Sequence, residues 1–138
     1  YQLISQPWLA TKVLMPHRSY VFHEEKPQVD HIFPLNLDGA NEAYQQDVDV
    51  LWNFQPLPAE VNNYKRNRHP KEFFQSDDGS KYWASYDLIP SADDNLWNDH
   101  LAFIENRKQK MLDELARLYG LSITKQAQPL FKIVHLSP

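Results

Sequence analysis

Prolines at positions 7, 16, 27, 34, 56, 58 and 70 cut the first half of this chain into pieces too short for a long regular element. Proline has no backbone N–H and clashes with the preceding helical turn, so it belongs at a first turn, a strand edge or a bend. Residues 7–15 therefore predict a short helix ended by Pro16. Residues 18–23 (RSYVFH) alternate apolar with polar side chains and predict a strand. Residues 29–34 predict a second extended piece, ended by Pro34. Residues 35–46 hold Asn36, Asp38-Gly39 and Asn41 and predict a loop with one helical turn after Gly39. Residues 48–57 read as strand or extended chain, and residues 58–65 as a helix with proline near its start. Asn67 to Pro70 break that helix, residues 71–74 form a further turn, and residues 76–80 read as a plain loop.

No proline occurs between Pro90 and Pro129, and the long helix is expected there. Ser91-Ala92-Asp93-Asp94 has the form of a helix start. Over residues 96–119, Leu101, Ile104, Met111, Leu115 and Leu118 recur at three- and four-residue steps, giving one apolar stripe. Lys108 interrupts the stripe, where its stem can reach water. Gly120 suits a helix end. Residues 129–136 predict a last short strand. The expected class is α+β, with a helical tail over about 91–119.

A chain of 138 residues is expected to be one domain, since domains hold roughly 100–200 residues. Hydrophobic residues make up 42% and aromatics 13%, which excludes a disordered segment and predicts an aromatic core. The absence of cysteine removes disulfides, thiolate nucleophiles and thiolate-bound zinc together. Fourteen Lys and Arg against 18 Asp and Glu leave a net charge of −4, so any nucleic-acid binding rests on a local patch or on another part of the protein. No apolar run approaches the roughly 18 residues a membrane span needs, and no membrane partner is expected. The chain opens Tyr1-Gln2-Leu3 without Met, so residues 1–138 are expected to be an excerpt of a larger chain.

The polar residues suggest chemistry in three segments. Asp30-His31 lies on extended chain, where neighbouring side chains point to opposite faces. The two share a site only where the backbone kinks or a metal draws them together. Asn53 falls at a strand end. Nine residues on, Asn62 sits on a predicted helix, with Lys65 on the same face. Strand with Asp-His, loop, strand with Asn, helix with Asn-x-x-Lys: this order resembles the HNH, or ββα-metal (His-Me finger), endonuclease motif in its His-Asn-Asn form. DHIFP at residues 30–34, LWNFQPLP at 51–58 and NNYKRNRHP at 62–70 are similar to the nuclease domains of GmrSD-type modification-dependent restriction enzymes. The later segments, Leu88-Ile89-Pro90, Leu96-Trp97 and the Phe103-to-Lys108 run, resemble that family's closing helix more loosely.

The resemblance implies a ββα core over about residues 19–68 with added helices. It also implies a metal-dependent endonuclease that hydrolyses DNA phosphodiester bonds in restriction or anti-phage defence. His31 would be the general base, suited by an imidazole that titrates near neutral pH. Asp30 and Asn62 would hold one divalent metal, Mg²⁺ or Mn²⁺, through hard oxygen atoms. Asn53 would bond backbone groups of the loop near His31. Lys65, Arg66, Arg68 and Lys71, the one clear basic segment, would face phosphate. The implied setting is the bacterial cytoplasm, with DNA as partner and an upstream domain of the same chain recognising the target; the oligomeric state stays open.

Some alternatives remain open at this point. Asn63 could replace Asn62 if the register shifts by one, and His69 is a weaker candidate after the helix break. Asp47 and Asp49 would share a strand face, where an exposed edge is preferred over a second metal site. His23-Glu24-Glu25 reads as a solvated strand end and Asp77-Asp78-Gly79 as a turn. Tyr82, Trp83 and Tyr86 read as core rather than as a base-stacking surface. The runner-up function is a ββα module that binds DNA or protein without catalysis.

Overall fold

The computed structural model describes residues 28–83 and 88–120. Strand β1 (Gln28–His31) pairs antiparallel with β2 (Phe54–Leu57), with Asp30 opposite Gln55 and His31 opposite Phe54. Helix α1 (Glu42–Val48) and a 3-10 turn (Leu51–Asn53) lie between them in sequence. Helix α2 (Ala59–Lys65) follows β2, and α3 (Pro70–Gln75) and α4 (Asp77–Trp83) come next. A second 3-10 turn (Asn95–Asn98) then leads into the long helix α5 (His100–Tyr119). The class is α+β, with a two-stranded antiparallel sheet and several helices. No described helix is long and apolar enough to cross a membrane.

Short polar residues set the helix starts. The Asn41 carboxamide oxygen accepts from Tyr44 N at the head of α1. Pro70 occupies the first turn of α3, where its missing N–H would have had no partner. The Asp99 carboxylate accepts from Leu101 N and Ala102 N and starts α5. Gly120, at φ 65°, ends it in the left-handed conformation that glycine adopts without a Cβ clash. Pro56 sits inside β2, which the sheet tolerates because, among the described residues, each of its two strands is also an edge.

Four elements differ from expectation. The span read as strand over 48–57 is strand only at 54–57, and residues 42–48 of the expected loop and strand are helix α1. Asn41, a turn former by composition, acts there as a cap. Residues 76–80 are not a plain loop, because Ser76 Oγ accepts from Gly79 N and starts α4. A Cβ at Gly79 would collide with the Phe73 carbonyl, so glycine lets α4 begin directly against α3. The tail helix begins at His100 rather than near residue 91, because Asp94 caps only the short 3-10 turn and Asp99 opens a new helix. Its first stripe residue, Leu101, is exposed, and the buried face is Phe103, Ile104, Arg107, Met111, Leu112 and Leu115.

The expected helix 7–15, strands 18–23 and 129–136, the His23-Glu24-Glu25 cluster and Tyr86 lie outside the described residues, as do the Tyr82 and Trp83 side chains. So does the part of the expected ββα core before Gln28.

An aromatic cluster joins the sheet end to the helices. Trp97 and Phe103 stack with ring centres 4.9 Å apart, Phe74 lies 5.4 Å from Trp97, and Phe33 lies 5.1 Å from Phe103. Each such buried side chain contributes about 1.5–3 kcal/mol by leaving water. The cluster pulls the segment after β1 onto α3 and α5, which sets the position of everything that follows His31.

Candidate active site

Asp30 faces Gln55 across the sheet, and Gln55 Nε2 donates to its Oδ2 at 2.8 Å. Helix α2 lies over the same face of β1. Its Lys65 reaches Asp30 at 3.1 Å and also donates to the His31 carbonyl at 2.8 Å. One turn earlier, Asn62 Nδ2 donates to Gln28 Oε1 at 2.8 Å. Residues 62 and 65, at helical spacing, thus meet residues 28 and 30, at strand spacing.

Lys65 is fully buried and Asp30 is 7% exposed. Burial pushes the Asp30 carboxyl above its usual range, with Lys65 and Gln55 pulling the other way. Burial likewise pushes the Lys65 ammonium down, against the pull of Asp30. The expected place of Lys65 beside a phosphate is therefore corrected: its ammonium is inside the protein, spent on Asp30 and on the His31 backbone.

His31 points to the opposite face of β1, as strand alternation requires. Its ring stands edge-on to Phe54, its cross-strand partner, at 4.9 Å, and its Nε2 lies 2.9 Å from Asp49 Oδ1. Yet β1 ends at His31, and an open cleft of about 670 Å³ reaches around that end. Asp30, His31, Asn36, Asn62, Asn63 and Arg66 all line it. Arg66 is exposed there and has an unusual backbone, φ 49° and ψ −132°, at the end of α2. Such a conformation costs a side-chain-bearing residue on the order of 1–3 kcal/mol. Arg68 donates to the Tyr64 carbonyl, and Lys71 is half-buried at the start of α3.

Asn53 is buried at the end of the 3-10 turn. Its Oδ1 accepts from Phe33 N at 2.9 Å, and its Nδ2 donates to the carbonyls of Phe33 and Val48 at 3.0 and 2.8 Å. Its own carbonyl accepts from Ile32 N at 2.9 Å. One residue thus fixes the two positions that directly follow His31.

The donor atoms are oxygens, the kind a hard cation accepts. The Asn62 amide spends its nitrogen on Gln28, which leaves Oδ1 as an acceptor on the cleft. Asp30 Oδ1 meets only Lys65, at 3.3 Å, and keeps a lone pair. Two protein oxygens leave the rest of an octahedral shell to water and phosphate, as Mg²⁺ accepts. The nearby ammonium opposes a cation and predicts weak binding. Among the described residues no three His, Asp, Glu or Cys side chains converge on one point.

Asp47 and Asp49 do not share a strand face. Asp47 belongs to α1 and pairs with His100 Nε2 at 3.0 Å, whereas Asp49 follows the helix and pairs with His31. His69 is not aimed at a metal, because its Nδ1 accepts from Lys71 N and caps α3, with its ring edge-on to Phe33. Burial and Lys71 lower its pKa from 6.5. The folded state then binds fewer protons than the unfolded one below that value, so His69 contributes stability above pH 6.5 that is lost as pH falls through the lowered pKa. Urea unfolding at pH 7 and pH 5 checks this. The wild type loses more stability than His69→Asn, which keeps a capping oxygen and does not titrate.

Gln55 and Arg107 are missed by sequence reasoning as site residues. A cross-strand register would have revealed Gln55, and only the loose likeness of the Phe103-to-Lys108 run points at Arg107. No protein-family model, curated protein or solved structure matches this chain.

Proposed function

We propose that this chain is a metal-dependent endonuclease domain of the ββα type, acting on DNA phosphodiester bonds. The observation that carries the reading is that Asp30, His31 and Asn62 line one cleft, although neighbouring residues on a strand point apart and Asn62 comes from a different element. The strand, strand, helix order around them supports it. Asp30 and Asn62 would hold Mg²⁺ or Mn²⁺ through their Oδ1 atoms. When bound, such a cation supplies charge neutralisation at the phosphate. With its Nε2–H donated to Asp49, His31 keeps its lone pair on Nδ1, the nitrogen that would take a proton from the attacking water. Arg66, exposed on the cleft, would hold the phosphate. With a net charge of −4, target recognition falls to an upstream domain, and restriction or anti-phage defence in the bacterial cytoplasm is the setting proposed with it.

One observation favours the second reading, a module that binds without cutting: Lys65 already neutralises Asp30. Cleavage of supercoiled plasmid separates the two. The nuclease reading expects cutting with Mg²⁺ or Mn²⁺ that chelation stops. Asn62→Ala should raise the metal concentration needed by roughly tenfold or more, with the fold kept because its bond to Gln28 is at the surface. Absence of cutting at any metal concentration, with DNA still bound, selects the second reading.

A further inference from the structure

We infer that Arg107 is a positioning residue for the His31 site, an inference that rests on the nuclease reading and extends it to helix α5. Arg107 is fully buried in the middle of α5, 54 residues beyond Asn53 in sequence. Its Nη1 donates to the carbonyls of both Trp52 and Phe54, each at 2.7 Å. Those carbonyls flank Asn53 on either side. The guanidinium therefore grips the peptide unit that enters Asn53, through the Trp52 carbonyl, and the unit just beyond Phe54; the Asn53 carboxamide between them holds Phe33 while the Asn53 carbonyl holds Ile32. The chain of contacts is short and made of directional bonds: α5 to the 52–54 backbone, the 52–54 backbone to residues 32 and 33, and residue 32 to His31. Hydrogen bonds from an ionised donor are shorter and stronger than neutral ones, so this grip is stiffer than a backbone ladder would be. A buried guanidinium is a costly way merely to fill space, which an apolar side chain would do as well. Its chemistry matches the task of satisfying two carbonyls with one group.

The test is Arg107→Lys, whose ammonium is one bond shorter and falls away from the paired carbonyls while keeping the charge. Arg107→Met is the second variant, in case the displaced charge unfolds the first. Amide hydrogen exchange on the intact 138-residue chain reads the positions directly. In the variant that folds, Ile32 and Phe33 amides should exchange at least tenfold faster relative to Phe103 and Leu112 amides in α5. In plasmid cleavage, kcat should fall roughly 10–100-fold with KM for DNA within about twofold, as expected when a reacting group is displaced on the order of 1 Å. Uniform acceleration of every amide, or none, overturns the inference, since Arg107 would then serve overall packing alone. An unchanged kcat in a wild-type-active preparation overturns it and leaves the nuclease reading standing. If the wild type never cuts, the nuclease reading fails and, with it, the catalytic part of this inference, while the exchange ratio still reports whether Arg107 holds residues 32 and 33.

Discussion

Lys65→Met should destabilise the chain by about 3–5 kcal/mol, the cost of leaving one member of a buried ion pair behind. Lys65 has no exposed surface, and the carboxylate it meets is nearly as deep. Methionine fills the space of the lysine stem but removes both the countercharge and the bond to the His31 carbonyl. Gln55 then becomes the main donor left to Asp30. The sign of the pH response follows. Burial already raises the Asp30 carboxyl above 3.8, and removing the ammonium raises it further. A folded-state acid with a raised pKa is stabilising below its unfolded value, and that contribution is lost as pH rises through the folded value. The loss in Lys65→Met should therefore be smallest near pH 4 and grow toward neutrality. Asp30→Asn combined with Lys65→Met should recover part of it, with a coupling of about 0.5–3 kcal/mol between the two sites. Urea unfolding of the four proteins at pH 4 and pH 7 makes the measurement. A loss under about 1 kcal/mol at pH 7, far below the cost of a stranded buried charge, would place the ammonium in solvent, where a phosphate could reach it.

The contrast with the basic segment shows what a sequence can and cannot display. Lys65, Arg66, Arg68 and Lys71 look alike as a run of cations. Helix geometry separates the first two: residue 65 is the last of α2 and bonds Asp30 and the His31 carbonyl, whereas residue 66 leaves the helix at φ 49° and is exposed. The strand partner that makes this a burial site, Asp30, is 35 residues away, and no local pattern reports that distance. The α2 helix itself is legible from Pro58, and the end of α5 from Gly120, because both signals are local and steric. Asn41 and Ser76 mislead for the same reason that makes them good caps: a side chain that bonds nearby backbone suits a turn and a helix start equally. The contact of Asn53 with the backbone after His31 is legible only through the motif, since composition around residue 53 is that of any buried strand. Gln55 and Arg107 act through cross-strand and long-range bonds that become visible once the register is known.

His31→Ala should lower kcat for metal-dependent plasmid cleavage by roughly 10²–10⁴-fold, the usual contribution of a positioned general base. The fold should survive. His31 is partly exposed, its ion pair is with an Asp49 carboxylate that is 60% exposed, and such surface pairs contribute about 0–1 kcal/mol. The backbone around it is held independently, by Lys65 on its carbonyl and by Asn53 on the next two residues. Removal of the ring thus deletes a proton acceptor and little else, which makes the variant a cleaner probe than any change at Asp30. The metal requirement should stay near that of the wild type, because neither Asp30 nor Asn62 bonds the imidazole. The two proposed roles then separate in one titration: Asn62→Ala shifts the metal midpoint with modest change in the plateau, and His31→Ala collapses the plateau with little shift in the midpoint. Cutting by His31→Ala within a few-fold of wild type would remove the general base from the reaction. The shared cleft would then be a binding surface, with the Lys65-neutralised Asp30 as part of its frame.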